Sequence, residues 1–540
     1  MSSNISRRNF IKTSLTAGAA FGLGFAGSNL ISSQNRFDTI IKGGVIYNGE
    51  GGKPFAGEIG IKDGKISAIA SSLGESADII VDAKGRAVSP GFIDIHTHTD
   101  GNLFDAPLGD SKIFQGVTTD IGGNCGSSPF PGKRWESISG FYGDLSRNKL
   151  GINYGSFVGQ GDLRQFVVGD KDVRCTDEQL TAMKRILSAQ MEQGAVGLSC
   201  GLEYTPGSYA SNEEIAHLCR VVAEHNGLFA IHMRNEDDRV EESVAEAIQI
   251  AKDSGVRLQI SHLKAQNAAN WHKAPALLRQ IERAASEGVD IAFDRYPYIA
   301  FSTGMSSFIP LTHRDGTRED IVARLRDEQI SKKIGEYALS RIARLGGPAN
   351  VVVTSCKVDD NKRYIGLSVE KCSELSGKDT WPFIRDLLIE ENVSVSIIGF
   401  AMTEENVKMF LSHPLGFPAS DGSVYSPDGP LGNSMPHPRS YGTFPRFFGK
   451  YCREESLMSL SEAVKKCTSL PASRLSLKNR GSLIPGYYAD IVIFDPLTIA
   501  DTATFASPHQ FPIGVNEVIV NGVLTISGGK PTGNFGGGVV

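Results

Sequence analysis

The chain has 540 residues, 40% of them hydrophobic and 21% charged, and a formal net charge of −5. That length buries a large core plus a second, smaller unit, and mild acidity without a long basic run argues against a nucleic-acid partner. The eight cysteines, at 125, 175, 200, 219, 356, 372, 452 and 467, form no C-x-x-C pair and no small-domain framework, which excludes a disulfide scaffold.

At the N-terminus, Ser6-Arg7-Arg8-Asn9-Phe10-Ile11-Lys12 precedes the weakly apolar TAGAAFGLGFAGSNL. Paired arginines ahead of such a segment read as a twin-arginine signal peptide over residues 1–34. The expectation is a folded protein passed to the twin-arginine export machinery and delivered to the periplasm or beyond. The apolar stretch is too short and glycine-broken for a stable membrane span. From Phe37 onward, DTIIKGGVIYNG, GEIGIKDGKISAIA and ADIIVDAKGRAVSPG are short strand-like runs broken by turn residues, predicting several antiparallel strands. A matching set, GSLIPGYYADIVIFDP and NEVIVNGVLTISGGKP, closes the chain. Residues 35–90 and 471–540 are therefore expected to build one small β-sandwich from both termini.

Between them, over residues 91–470, apolar runs alternate with helical patterns. GAVGLSC follows the amphipathic TDEQLTAMKRILSAQMEQ, LFAIHM precedes VEESVAEAIQIAKDSG, and RLQISHL leads through PALLRQIERAASEG to VDIAFDRYPY. This rhythm implies parallel strands with crossover helices, an α/β class whose eightfold form is the (β/α)8 TIM barrel. In such a barrel the working groups sit at the carboxyl ends of strands. The stretch from about 303 to 377 is charge-dense and breaks the rhythm, so it reads as a largely helical insertion near the barrel mouth.

Polar residues that close apolar runs are the candidates for chemistry. GFIDIHTHTD places His96 and His98 two apart, on one face of a strand and about 6–7 Å from each other. Cys125 lies in the glycine-rich turn after GVTTDIGGN, His232 ends LFAIH, His262 ends LQISH, and Asp421 ends GFPASD. All would project into one mouth. Imidazole and thiolate suit a borderline-soft cation such as zinc, which converts water to hydroxide near neutral pH. A carboxylate beside that water can take its proton and hand it to a leaving amine, and Asp421 is the candidate. Cys200 is a rival thiol at another strand end. Arg295 is a further binding candidate, set against a simple salt bridge, and His437 could approach the mouth. Glu236, Asp237 and Asp238 read as a helix N-terminus, where negative charge is favoured.

Together GFIDIHTHTD, GGNCGSSPFP, GLEYTPG, HMRNE, ISHLK, DRYPY and SDGSVYSPDGP resemble the amidohydrolase superfamily and, within it, the N-acyl-D-amino-acid deacylases, or D-aminoacylases. In that family a cysteine does the work that a carboxylated lysine does in most two-metal relatives. The resemblance implies a zinc-dependent hydrolase acting on the amide of a small N-acyl-D-amino acid. It implies one tight zinc on Cys125, His232 and His262, and a weaker second position on His96, His98 and Asp421. It also implies that Tyr204, Lys264, Tyr296 and Ser302 contact the substrate carboxylate or the reacting carbonyl, with Lys264 as the cation at the mouth. A hydantoinase-like or dihydroorotase-like cyclic-amide hydrolase, or an isoaspartyl-peptide hydrolase, is expected to need the bridging lysine. A non-catalytic barrel scaffold is expected to lack a ligand, and no ligand is missing.

Overall fold

Eight short apolar segments in the middle of the chain pair side by side, all parallel. They are β1 (Phe92–Asp94), β2 (Val117–Gly122), β3 (Asn153–Ser156, continued by Val158–Gly159), β4 (Gly197–Gly201), β5 (Leu228–His232), β6 (Arg257–Ile260), β7 (Ile291–Arg295) and β8 (Gly416–Pro418). The computed structural model describes residues 36–74 and 76–540. The export signal expected over 1–34 lies outside the described residues. The ring closes just beyond β1 and β8, where Thr97 bridges Gly422, the Asp421 amide donates to the His96 carbonyl at 2.9 Å and the His98 amide to Gly422 at 3.0 Å.

Both faces of these strands are buried, which is why they read as continuous apolar runs. Alternation then divides the side chains between two compartments. Ile93, Ile121, Phe157, Leu228, Ala230, Ala292 and Phe417 fill the barrel interior. Leu198, Cys200, Phe229, Ile231, Leu258, Ile260 and Phe293 pack outward against the helices. Those helices lie where the amphipathic pattern predicts them: Asp177–Glu192, opened by a Thr176 capping box, then Asn212–Glu224, Val240–Ser254 and Ala274–Ser286. No helix among the described residues is long and apolar enough to cross a membrane.

Strands from both termini join in a nine-stranded sheet outside the barrel. It differs from the expected antiparallel set, because Phe37–Ile46 pairs in parallel with both Ala77–Asp82 and Ala87–Pro90. The two expected layers are one hydrogen-bonded sheet rolled onto itself. Its far edge returns to the 486–489 segment, where the Ile66 amide donates to Tyr487 at 2.8 Å, and isoleucines from both ends of the chain fill the fold. The glycine-rich tail is ordered as well, with Tyr154 of β3 bonding Gly538 and Val540 through its backbone.

The insertion departs from its expected bounds. It begins with a strand at Ala300–Gly304, runs through helices Arg318–Arg326, Glu328–Arg344, Val369–Ser376 and Thr380–Glu390, and ends with a strand at Ser396–Phe400. Those two strands and Val351–Ser355 form a three-stranded antiparallel sheet under the helices, so the insertion is mixed rather than helical. It has its own apolar core, including Phe308, Ile334, Val353, Phe383 and Ile397. The helix Thr380–Glu390 and the strand Ser396–Phe400 extend the insertion beyond its expected end at 377. The whole unit interrupts the crossover between β7 and the helix Glu404–Ser412.

Below the mouth, one fully buried cation ties the closing strands together. Lys112 Nζ donates to Asp94 Oδ2 at 2.7 Å and to Ser420 Oγ at 2.6 Å, and lies 3.5 Å from Asp120. Asp94 Oδ1 in turn accepts from the Ser420 amide at 2.9 Å. Removing the cation strands two buried carboxylates, which costs about 3–5 kcal/mol. Lys112→Met is therefore expected to lower the unfolding free energy by a comparable amount and the denaturant midpoint with it, and a midpoint unchanged from the parent would remove this clamp from the account of barrel closure.

Candidate metal centre and active site

The polar residues that follow the strands converge at one end of the barrel. His232 is the last residue of β5, on the same face as Leu228 and Ala230, so alternation alone turns it inward. Cys125, His262 and Asp421 follow β2, β6 and β8 and all have left-handed backbones, with φ of 52°, 35° and 49°. Non-glycine residues avoid that region, at a cost of about 1–3 kcal/mol each, and such strain gathers at functional sites. The Cys125 turn also needs its neighbour to be glycine, since a Cβ on Gly201 of β4 would stand 1.9 Å from the Cys125 carbonyl oxygen.

Four donor atoms meet there. Cys125 Sγ lies 3.3 Å from His96 Nε2, 3.5 Å from His262 Nε2 and 3.8 Å from His232 Nδ1, and the last two nitrogens are 2.9 Å apart. Each imidazole presents its other nitrogen to a buried or half-buried carboxylate. His96 Nδ1 faces Asp294 at 3.1 Å, His232 Nε2 faces Glu203 at 3.3 Å, and His262 Nδ1 faces Glu236 at 3.0 Å. A ring that donates outward keeps its lone pair pointing inward. Once the rings are deprotonated, three lone pairs and a sulfur within such distances repel one another unless a cation lies among them. A tetrahedral metal site with bonds of about 2.0–2.3 Å has edges of about 3.3–3.7 Å. The Cys125 spacings lie close to those edges while the 2.9 Å His232–His262 spacing is shorter, and the thiol and imidazole donors suit a divalent transition metal. Asp421 Oδ1 completes the group, 3.5 Å from His96 Nε2 and 3.0 Å from His98 Nε2.

Charge is tuned to match. Burial alone would raise the Cys125 thiol, but the His96 and His262 rings pull it well below its ordinary value, favouring the thiolate. Burial would also raise Asp421, yet the Arg439 guanidinium, 2.8 Å from Oδ2, and the neighbouring imidazoles hold it well below the usual carboxylate range. His232 is pushed the other way: burial lowers it, but the Glu236 and Cys125 charges carry it up to about 10.

A cavity of about 440 Å³ opens above these groups, lined by Tyr204, Tyr296 and Ser302 among others. The Tyr204 ring lies tilted against His232, 4.7 Å between centroids, and its hydroxyl is 3.2 Å from Thr303, while the fully buried Tyr296 hydroxyl has no hydrogen-bond partner. Lys264, expected as the cation at the mouth, lines the same cavity. It is buried, with Nζ 2.7 Å from both Glu236 Oε1 and His262 Nδ1, so its charge is already committed to the metal centre's surroundings. Glu236 is likewise not an ordinary helix-start acid, since the helix begins at Val240 and Glu236 reaches back beneath His262. Cys200 faces the helices, away from the mouth. Arg295 shares that outward parity on β7, makes no ion pair among the described residues, and donates to the Tyr298 carbonyl at 2.8 Å. His437 bonds the Ala300 carbonyl at 2.9 Å and stands outside the donor group. Asp294, Glu203, Arg341 and Arg439 escaped sequence reasoning. Only Asp294 had a signal there, as the acid of DRYPY at the end of β7.

Residues 80–355 and 407–526 match the family model described as amidohydrolase family, and the gap covers the second half of the insertion and the start of the helix Glu404–Ser412. An N-acyl-D-glutamate deacylase of Alcaligenes xylosoxydans xylosoxydans is 32% identical over 92% of this chain and 96% of its own length. A D-aminoacylase from the same organism is 31% identical over 94% and 98%. The chain belongs to the amidohydrolase family, in its D-aminoacylase branch. The crystal structure of an N-acyl-D-glutamate deacylase from Bordetella bronchiseptica, complexed with zinc and a phosphonate mimic of the tetrahedral intermediate, superposes with a TM-score of 0.80. It is 33% identical and covers 94% of this chain and 99% of its own. As in other amidohydrolases, a metal cofactor belongs at the mouth. The Glu236 and Cys125 charges favour a proton on His232 when no metal is bound, so binding a divalent cation is expected to release protons. Titration calorimetry of the metal-free protein in buffers of different ionisation enthalpy should show that release, and His232→Asn should lower it by about one proton.

Proposed function

We propose that this amidohydrolase is a zinc-dependent deacylase that cleaves the amide of N-acyl-D-amino acids, giving a carboxylate and a D-amino acid. The observation that carries the reading is a thiolate and three inward-facing imidazoles beside an ionised Asp421, all at the floor of one cavity. The thiolate and imidazole donors favour zinc over the harder cations that prefer oxygen ligands. Cys125, His232 and His262 would hold the tight ion. The grouping of His96 and Asp421 with Cys125 and His262, and His98 at 3.0 Å from Asp421 Oδ1, support a second, weaker position on His96, His98 and Asp421.

A zinc ion held there would polarise the amide carbonyl and acidify a water molecule. Asp421, kept ionised by Arg439, accepts the proton of the attacking water and returns it to the amide nitrogen as the bond breaks. His98, 3.0 Å from Asp421 Oδ1, orients that carboxylate. Tyr204 remains a neutral donor, because burial and the Glu203 charge raise its pKa well above the ordinary value, and it can stabilise negative charge growing on the carbonyl oxygen. The unpartnered Tyr296 hydroxyl, the Ser302 hydroxyl and the Arg439 guanidinium line the cavity and suit the substrate's α-carboxylate. Lys264 serves by holding Glu236 and His262 in place. Arg7 and Arg8 support export through the twin-arginine route, so the substrate would be met outside the cytoplasm.

Purified protein with its metal quantified, assayed on N-acetyl-D- and N-acetyl-L-amino acids, tests the reading; turnover confined to L isomers would contradict it. Asp421→Asn is expected to lower kcat by roughly 10²–10⁴-fold while the tight metal is retained. Turnover that survives with metal in place would remove Asp421 from proton transfer.

A further inference from the structure

A second recess, of about 290 Å³, adjoins the catalytic cavity and shares Glu203, Glu236, Gln266 and Arg341 with it. Its wall carries five arginines against four carboxylates. The carboxylates are already engaged. Glu203 accepts both Arg341 nitrogens at 3.0 Å, Glu236 holds Lys264, Asp237 accepts from the Asp238 amide and the Asn235 side chain at 2.6 Å, and Asp238 accepts from Asn270 at 3.2 Å. Among the arginines, Arg234 is committed to Glu246 at 3.0 Å.

Arg314 stands apart. It is 5% exposed, makes no ion pair among the described residues, and its Nε is buried without a hydrogen-bond partner. Its one side-chain hydrogen bond runs from Nη1 to the Glu203 carbonyl, at 3.0 Å. Burial, only partly offset by the Glu203 charge and reinforced by Arg341, pulls this guanidinium below the ordinary arginine value. Desolvating a cation without a counter-ion costs several kcal/mol, and the fork of a guanidinium matches a carboxylate. Arg344, partly exposed at the same recess, lies 3.8–3.9 Å from its nearest acids, beyond hydrogen-bonding distance, and can turn toward an incoming anion.

We infer that this recess is a carboxylate-binding subsite with Arg314 as its deep cation, separated from the metal centre by the Glu203–Arg341 pair. The carboxylate has two sources: a distal carboxylate on the substrate, carried by an acidic side chain, or a free small dicarboxylate bound beside the substrate. The first source rests on the deacylase reading and the second does not.

Two measurements on the metal-loaded enzyme distinguish them. In the first, kcat/KM is compared for N-acetyl-D-glutamate and N-acetyl-D-leucine in the parent, Arg314→Lys and Arg314→Met. A substrate-borne carboxylate predicts that the glutamate-to-leucine ratio falls roughly tenfold or more in Arg314→Met, with a smaller fall in Arg314→Lys, which keeps the charge but loses the fork. In the second, glutarate is titrated against thermal unfolding. A separate ligand predicts that glutarate raises the Tm of the parent and not that of Arg314→Met, with the substrate ratio unmoved. If Arg314→Met fails to fold, Arg314→Lys carries both comparisons. An unmoved ratio together with no glutarate-dependent rise in Tm overturns the subsite. Absence of turnover on every N-acetyl-D-amino acid overturns the deacylase reading while the glutarate titration still decides the recess.

Discussion

The requirement that three imidazoles keep their lone pairs pointed at one thiolate organises the rest of this protein. Each ring can do so only by giving its other nitrogen to an acceptor, and Asp294, Glu203 and Glu236 supply it. Burying those acids creates a second demand, because unpaired buried charge is strongly unfavourable. Lys264 and Gln266 answer it at Glu236, Arg341 at Glu203, and Gln259 with the His262 amide at Asp294. The metal centre is thus the middle of a polar network that reaches through several barrel strands into the insertion. The left-handed backbones at Cys125, His262 and Asp421 are the local strain that this arrangement sustains.

The barrel divides the work by depth. Its floor is apolar, packed by inward isoleucine, leucine and phenylalanine side chains, and this rigid base fixes where each strand ends. Only above that layer does the inward face become polar. The same alternation that buries Leu228 and Ala230 delivers His232 to the mouth without any special device. Lys112 performs the matching task at the seam, where it joins Asp94 of the first strand to the loop carrying Asp421.

The insertion is more than a cover. It interrupts the seventh crossover and brings Ser302, Thr303, Phe308 and Arg341 to the cavity wall, so cavity and insertion are built jointly. Arg341 binds the carboxylate that orients a metal-facing histidine, which ties the placement of the insertion to the geometry of the centre. An insertion with its own core can change its wall residues without disturbing the barrel, which is how one chemical centre comes to serve different side chains.

The linear text by itself determined the parallel α/β barrel with paired-terminus sheet, the six side chains of the centre and the family. Each of those is a local signal: an apolar run with its period, a polar residue at the end of that run, or a short motif. Only the tertiary structure decided which charges meet. His96 finds Asp294 across 198 positions and His98 finds Asp421 across 323, and no periodicity within one strand encodes such a partner. For the same reason Glu236 read as part of a helix N-terminus, although it stands beneath His262. Local pattern states which face a residue shows. Register and closure, which are properties of the whole ring, state what that face meets.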